Sequence, residues 1–188
     1  MKILIETERL LLREITLDDK EELFKLHSDP EVQKYTGEPL VESIEEIEKA
    51  ITTRINDYEK YGYGRWATIF KNEMQFIGWA GLAYLPEFDE IDLGYRFLPE
   101  YWGMGLATEA SQAILAYGFE QLKLRRIIAI AMKENKASIR VMEKIGMEFE
   151  KIAPYELGSD DAIWYCCDQM GITKKKRIET APCKKRGQ

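Results

Sequence analysis

The chain has 188 residues, 45% of them hydrophobic, with a formal net charge of −6. That length and apolar share suit one domain with a full core and argue against disorder for its body. No apolar run approaches ~20 residues, so no span of a membrane is expected.

Cysteine usage and the first residues point to one compartment. Cys166, Cys167 and Cys183 cannot pair as a framework, and two of them are adjacent. Reduced thiols in a cytoplasmic protein are expected. Met1–Glu8 shows neither the long apolar stretch nor the small-residue cleavage site of a secretory signal. Charge divides the chain. From Thr173 onward, Lys174, Lys175, Lys176, Arg177, Lys184, Lys185 and Arg186 face only Glu179, giving the tail +6 and the rest −12. Residues 1–172 are read as one domain and 173–188 as a flexible basic tail. An acidic body favours a cationic partner over nucleic acid.

Arg9–Arg13 reads as a first strand. Thr16-Leu-Asp-Asp then signals a helix N-terminus, and Asp29-Pro30 ends that helix. His27, the single histidine, falls near its end and is read as an exposed helix-end residue. Ser43 and Glu46 fit a capping box for a second helix, whose Ile44, Ile47, Ile51, Ile55 and Tyr58 recur at helical spacing. Gly62 closes it. Strands at Arg65–Lys71, Phe76–Tyr84 and Ile91–Phe97, joined by short turns, predict an antiparallel meander. A glycine turn and a helix to about Lys123 follow. Next come a strand at Arg126–Met132, a helix at Lys136–Lys144 stopped by Gly146, and strands at about Glu148–Leu157 and Ala162–Asp168. The order β-αα-βββ-α-β-α-ββ predicts an α/β (α+β) fold, a mixed and mostly antiparallel sheet with helices on both faces.

The turn before the third long helix carries the clearest chemical signal. Small residues at Gly103, Gly105 and Ala107 leave the backbone bare at a helix start. Uncommitted amides converge there with the positive end of the helix dipole, and the natural guest is a phosphate or pyrophosphate. No Gly-Lys-Ser/Thr follows, so it is not a P-loop. Its glycines do not fit the dinucleotide fingerprint either.

With these motifs in this order, the chain resembles the GNAT superfamily of acetyl-CoA-dependent N-acetyltransferases, most nearly its RimJ/RimL branch. The family's Arg/Gln-x-x-Gly-x-Gly/Ala motif falls on Trp102 to Ala107; Gly105 and Ala107 match, and Trp102 departs in a way typical of that branch. Arg9-Leu-Leu-Leu-Arg13, Asp29-Pro-Glu-Val32, and Asn135-x-x-Ser138 through Gly146 look like it as well. The resemblance covers roughly residues 5–170. It implies that Phe97 and Leu98 pair their backbone with the pantetheine arm of acetyl-CoA. It also implies that the amides of Gly103, Met104, Gly105, Leu106, Ala107 and Thr108 hold the pyrophosphate, with Asn135 bonding the pantetheine amides. The strands are expected to splay here and open a slot for the thioester.

Acetyl transfer to an amine needs a neutral amine, a polarised thioester and a proton for the leaving thiolate. The amine itself can be the nucleophile, so positioning supplies much of the rate. One histidine supports no Ser–His or Cys–His pairing, and no metal-ligand spacing is present. Many family members place a tyrosine acid where this chain has Met142. The resemblance nominates Ser138, one turn earlier on the same helix face, as proton donor to the thiolate, and a helix cap is its plain structural alternative. Asp92 is nominated as the base for the amine. Both residues together favour an enzyme over a non-catalytic acyl-CoA-binding module. The expected acceptor is a primary amine, either a protein N-terminal α-amino group or a small amine such as a polyamine or aminoglycoside. The protein is expected as a monomer or homodimer.

Overall fold

Every residue of the strand Arg65–Phe70 is buried, which requires cover on both faces of the sheet around it. The computed structural model describes residues 3–155 and 161–169. Within them a single eight-stranded sheet runs β1-β2-β3-β4-β5-β6-β8-β7. Its strands are β1 Ile3–Glu6, β2 Leu10–Arg13, β3 Arg65–Phe70, β4 Gln75–Leu85, β5 Glu90–Phe97, β6 Arg126–Met132, β7 Glu148–Pro154 and β8 Asp161–Asp168. The helices are α1 Lys20–His27, α2 Pro30–Gln33, α3 Ile44–Tyr61, α4 Leu106–Glu120 and α5 Lys136–Lys144. All pairings are antiparallel except β5 with β6, which the α4 crossover makes parallel. The mixed, mostly antiparallel sheet with helices on both faces is as expected.

The boundaries depart from the expected ones in three places. An additional strand, β1, pairs with β2 at the sheet edge. Its four residues are too few to show alternation by themselves. A 3-10 turn at Leu17–Asp19 precedes α1, its start held by the Thr16 amide donating to Asp19 Oδ2 at 2.8 Å. Asp29 both follows α1 and caps the next helix: its side chain accepts from Glu31 and Val32 amides, and Pro30 takes the first position of α2. The Gly158-Ser-Asp-Asp turn expected between the last two strands lies, but for Asp161 at the start of β8, outside the described residues, as does the tail 173–188.

Two cores position the site. On one face Leu93 and Phe97 of β5 pack with Leu106, Ala110 and Ile114 of α4. On the other, Ala67 and Trp79 meet Leu26 of α1 and Ile47 and Ile51 of α3. Each large apolar side chain buried in these layers contributes roughly 1.5–3 kcal/mol. Because strand side chains alternate, Ile91, Leu93, Tyr95 and Phe97 face α4, while Asp92, Gly94 and Arg96 face the α1–α3 side.

Candidate active site

β5 and β6 touch at one register pair, Asp92 with Ile128. Beyond it β5 runs on to Phe97 and β6 to Met132 without further pairing, so the two strands part toward their C-terminal ends. The Leu98 amide donates back to Ile77 of β4 at 2.9 Å. By ladder alternation the amide and carbonyl of Phe97 face the opening instead. The Phe97 carbonyl accepts the Trp102 indole N–H at 2.7 Å. Of the two backbone positions expected to face a pantetheine arm, the opening therefore presents Phe97, while Leu98 spends its amide within the sheet.

At the open end of this slot lies the glycine turn. Gly103 and Gly105 have φ of +75° and +79°, which side-chain-bearing residues rarely adopt. Gly105 is the N-cap of α4 and offers no side chain to its first-turn amides. By contrast, Ser43 caps α3 and Asn135 caps α5. The amides of Leu106, Ala107 and Thr108 at α4 thus point outward at the positive end of a 15-residue helix. An open cavity of about 400 Å³ adjoins Gly105 and Thr108, with Arg9 and Lys144 on its walls. Arg9 braces the turn: its Nη1 donates to the Met104 carbonyl at 2.9 Å, and its Nε to Glu109 Oε2 at 2.7 Å. Glu109 also accepts from Thr7 Oγ1 at 2.6 Å, and its carboxyl is held below the usual range by Thr7 and Arg9 against an opposing burial effect.

On the α4–α5 face of the slot, Asn135 Oδ1 accepts from the Ser138 amide at 3.1 Å. The cap of α5 is therefore Asn135, and the Ser138 hydroxyl is left for another partner. That partner is Tyr95, whose hydroxyl donates to Ser138 Oγ at 3.1 Å. Burial pushes the Tyr95 pKa up, outweighing the lowering effect of Ser138, so this phenol stays a proton carrier at neutral pH. Met142, buried one turn further along α5, supplies an apolar wall.

On the opposite face, Asp92 is buried and ion-paired through Oδ2 to Arg65 Nη2. Arg65 also donates to the carbonyls of Gly81 at 2.7 Å and Asp92 at 3.2 Å. Gly94 makes room for this guanidinium: a Cβ there would stand 2.8 Å from Arg65 Nη1. Next to it, Arg96 Nη1 donates to Glu38 Oε2 at 2.9 Å and lies 3.0 Å from His27 Nδ1. The Trp79 indole donates to His27 Nε2 at 3.3 Å. His27 is thus partly buried on the α1–α3 side of the sheet rather than exposed at a helix end. Burial first, then Arg96 and Arg54, pull its pKa down to about 4. Arg65, Tyr95 and Arg96 were passed over in the sequence because each lies in an apolar strand. An arginine within such a strand was the available signal.

The acetyltransferase (GNAT) domain profile matches residues 9–148. The uncharacterized N-acetyltransferase YoaA of Bacillus subtilis is 35% identical over 79% of this chain and 85% of its own. Among solved structures, RimL, the ribosomal L7/L12 α-N-protein acetyltransferase in complex with coenzyme A, superposes with a TM-score of 0.75 at 22% identity. That match covers 89% of this chain and 98% of RimL. Spermidine N-acetyltransferase from Vibrio cholerae, in complex with CoA and spermine, gives 0.72 at 21% identity, covering 87% and 98%.

Proposed function

The chain belongs to the GNAT acetyltransferase family and is an acetyl-CoA-dependent N-acetyltransferase; on that premise we propose that a primary amine attacks the thioester directly inside the β5–β6 slot. The observation that carries this reading is the parting of β5 from β6 beside a helix start that no side chain caps. A pantetheine arm suits an opening lined by the backbone amide of Phe97, whose carbonyl the Trp102 indole already holds. A pyrophosphate suits the amides of the turn at Gly103, Met104 and Gly105 together with those of Leu106, Ala107 and Thr108 at the start of α4. No residue need be acylated.

The roles follow from the two faces of the sheet. The amine enters from the α1–α3 side, where Asp92 stands at the point at which the strands meet. Its lone pair forms the C–N bond, the C–S bond breaks, and the departing thiolate takes the proton of Ser138, which solvent returns to the serine as Asp92 releases the amine proton to water. Tyr95, donating to Ser138 Oγ, holds that hydroxyl with its own hydrogen directed away from the tyrosine. Asp92 takes the amine proton through water on Oδ1, the oxygen that Arg65 does not hold. Asn135 fixes the start of α5 and thereby the place of Ser138. The acceptor is read as an α-amino group, in keeping with the resemblance to the RimJ/RimL branch.

The test is thiol release from acetyl-CoA across a panel of N-terminal peptides, amino acids and polyamines. Amine-dependent thiol release with acetylated product in equal amount is expected. CoA binding without transfer to any amine would reduce the protein to an acyl-CoA-binding module.

A further inference from the structure

Three guanidinium groups converge on one indole in the acceptor face. The Cζ atoms of Arg54 on α3, Arg65 on β3 and Arg96 on β5 each lie 5.2 Å from the centre of the Trp79 ring. Two of the three have carboxylates: Arg65 holds Asp92, and Arg96 holds Glu38. Arg54 has no hydrogen bond or ion pair among the described residues. Burial and the neighbouring Arg65 pull its pKa down to about 10, so it remains charged at neutral pH. His27 beside it is neutral there. The patch therefore carries three cations against two carboxylates, and the charge in excess is that of Arg54.

A partly buried guanidinium without an anion is costly to keep, and its planar fork of donors matches a carboxylate. The position fits an acceptor. Trp79 pairs with Arg96 and Gly81 with Gly94. Arg96 is thus one two-residue step, about 7 Å, along β5 from Gly94 beside the slot.

We propose that Arg54, with Arg96 at its side, receives a carboxylate of the acceptor, so that the substrate is a primary amine bearing a carboxylate near its amino group. Such chemistry comes either from a free amino acid or from a peptide N-terminus with an early acidic residue. The assignment rests on the acetyltransferase reading above. It excludes polyamines as preferred substrates, because they bring further positive charge to a patch already in positive excess. Glu38, with a side chain 59% exposed, occupies Arg96 from the loop ahead of α3 and is the protein's own carboxylate at this place.

The experiment compares matched acceptors with the full chain and acetyl-CoA: leucine against leucinamide, C-amidated peptides beginning Ala-Asp against Ala-Asn, and spermidine. The carboxylate member of at least one pair is expected to show about tenfold or higher kcat/KM, about 1.4 kcal/mol. Which pair responds identifies the source of the carboxylate. Arg54→Gln should erase that preference through KM, with CoA affinity unchanged, and Arg54→Lys should retain part of it. Equal or better turnover of the amides or spermidine would overturn the proposal, as would an undiminished preference in Arg54→Gln. If no amine releases thiol, the transferase reading fails. The anion site is then judged by thermal protection of the CoA-loaded protein by N-acetylleucine against N-acetylleucinamide. Protection by the acid alone, lost in Arg54→Gln, supports the site; its absence refutes it.

Discussion

Tyr95 and Ser138 meet through one hydrogen bond of 3.1 Å, and it orients the hydroxyl proposed to protonate the thiolate. Ser138→Ala is expected to lower kcat by about 10²–10⁴-fold, the usual worth of general acid assistance, while the Kd for acetyl-CoA stays nearly constant. Tyr95→Phe removes only the neutral hydrogen bond that orients the serine. A fall in kcat of about 2–10-fold is expected, matching 0.5–1.5 kcal/mol. If Ser138→Ala instead loses thermal stability with kcat retained, the serine is structural. His27 makes a second residue-scale prediction. Its pKa falls from 6.5 in the unfolded chain to about 4 in the folded one, so the unfolded state binds the extra proton. The stability from keeping it neutral is therefore present above pH 6.5 and lost as pH falls toward 4, by roughly 3 kcal/mol in all. Melting curves between pH 7 and 4 should show this slope, and His27→Gln should flatten it. Parallel slopes for the two proteins would place the acid sensitivity elsewhere.

The start of α4 and the β3–β5 face act as elements rather than as single residues. A valine at Gly105 must adopt a φ near +79°, at a cost of about 1–2 kcal/mol, and it places branched carbons beside the amides proposed for the pyrophosphate. Gly105→Val should raise the CoA dissociation constant at least tenfold by calorimetry. An unchanged constant in the folded variant would remove this turn from the site. On the α1–α3 side of the sheet, Arg65→Ala strands the buried Asp92 carboxylate, so a loss of about 3–5 kcal/mol is expected in chemical denaturation. A loss below 1 kcal/mol would mean that solvent reaches Asp92 freely. These elements were unequally legible in the chain. The apolar spacing of α3, its Ser43 cap and the glycine turn are local, so α3, β6 and α5 could be read directly. The same local reading left Ser138 a possible cap, and only the fold shows that Asn135 takes that role. Asp92 and Arg65 are 27 positions apart and meet through the register of three strands, which no local pattern encodes. His27 turned inward for a like reason: its partners Trp79 and Arg96 come from β4 and β5.

At the scale of the whole molecule, the sheet separates two kinds of chemistry. In the proposed reaction the α4–α5 face holds Tyr95 and Ser138 for the departing thiol, the α1–α3 face presents Asp92 and the arginine patch to the incoming amine, and the reagents meet where β5 and β6 part. Neither described cysteine competes as a nucleophile. Cys167 is buried within the α4-side core. Burial pushes the thiol of Cys166 up, although Arg126 beside it acts in the opposite sense. The central claim is direct transfer between two substrates bound together. It is tested most directly by initial velocities over a grid of acetyl-CoA and amine concentrations, with the intact mass of the protein followed after acetyl-CoA alone. Intersecting double-reciprocal lines and an unmodified chain are predicted. Parallel lines, with a chain heavier by one acetyl group, would contradict the account.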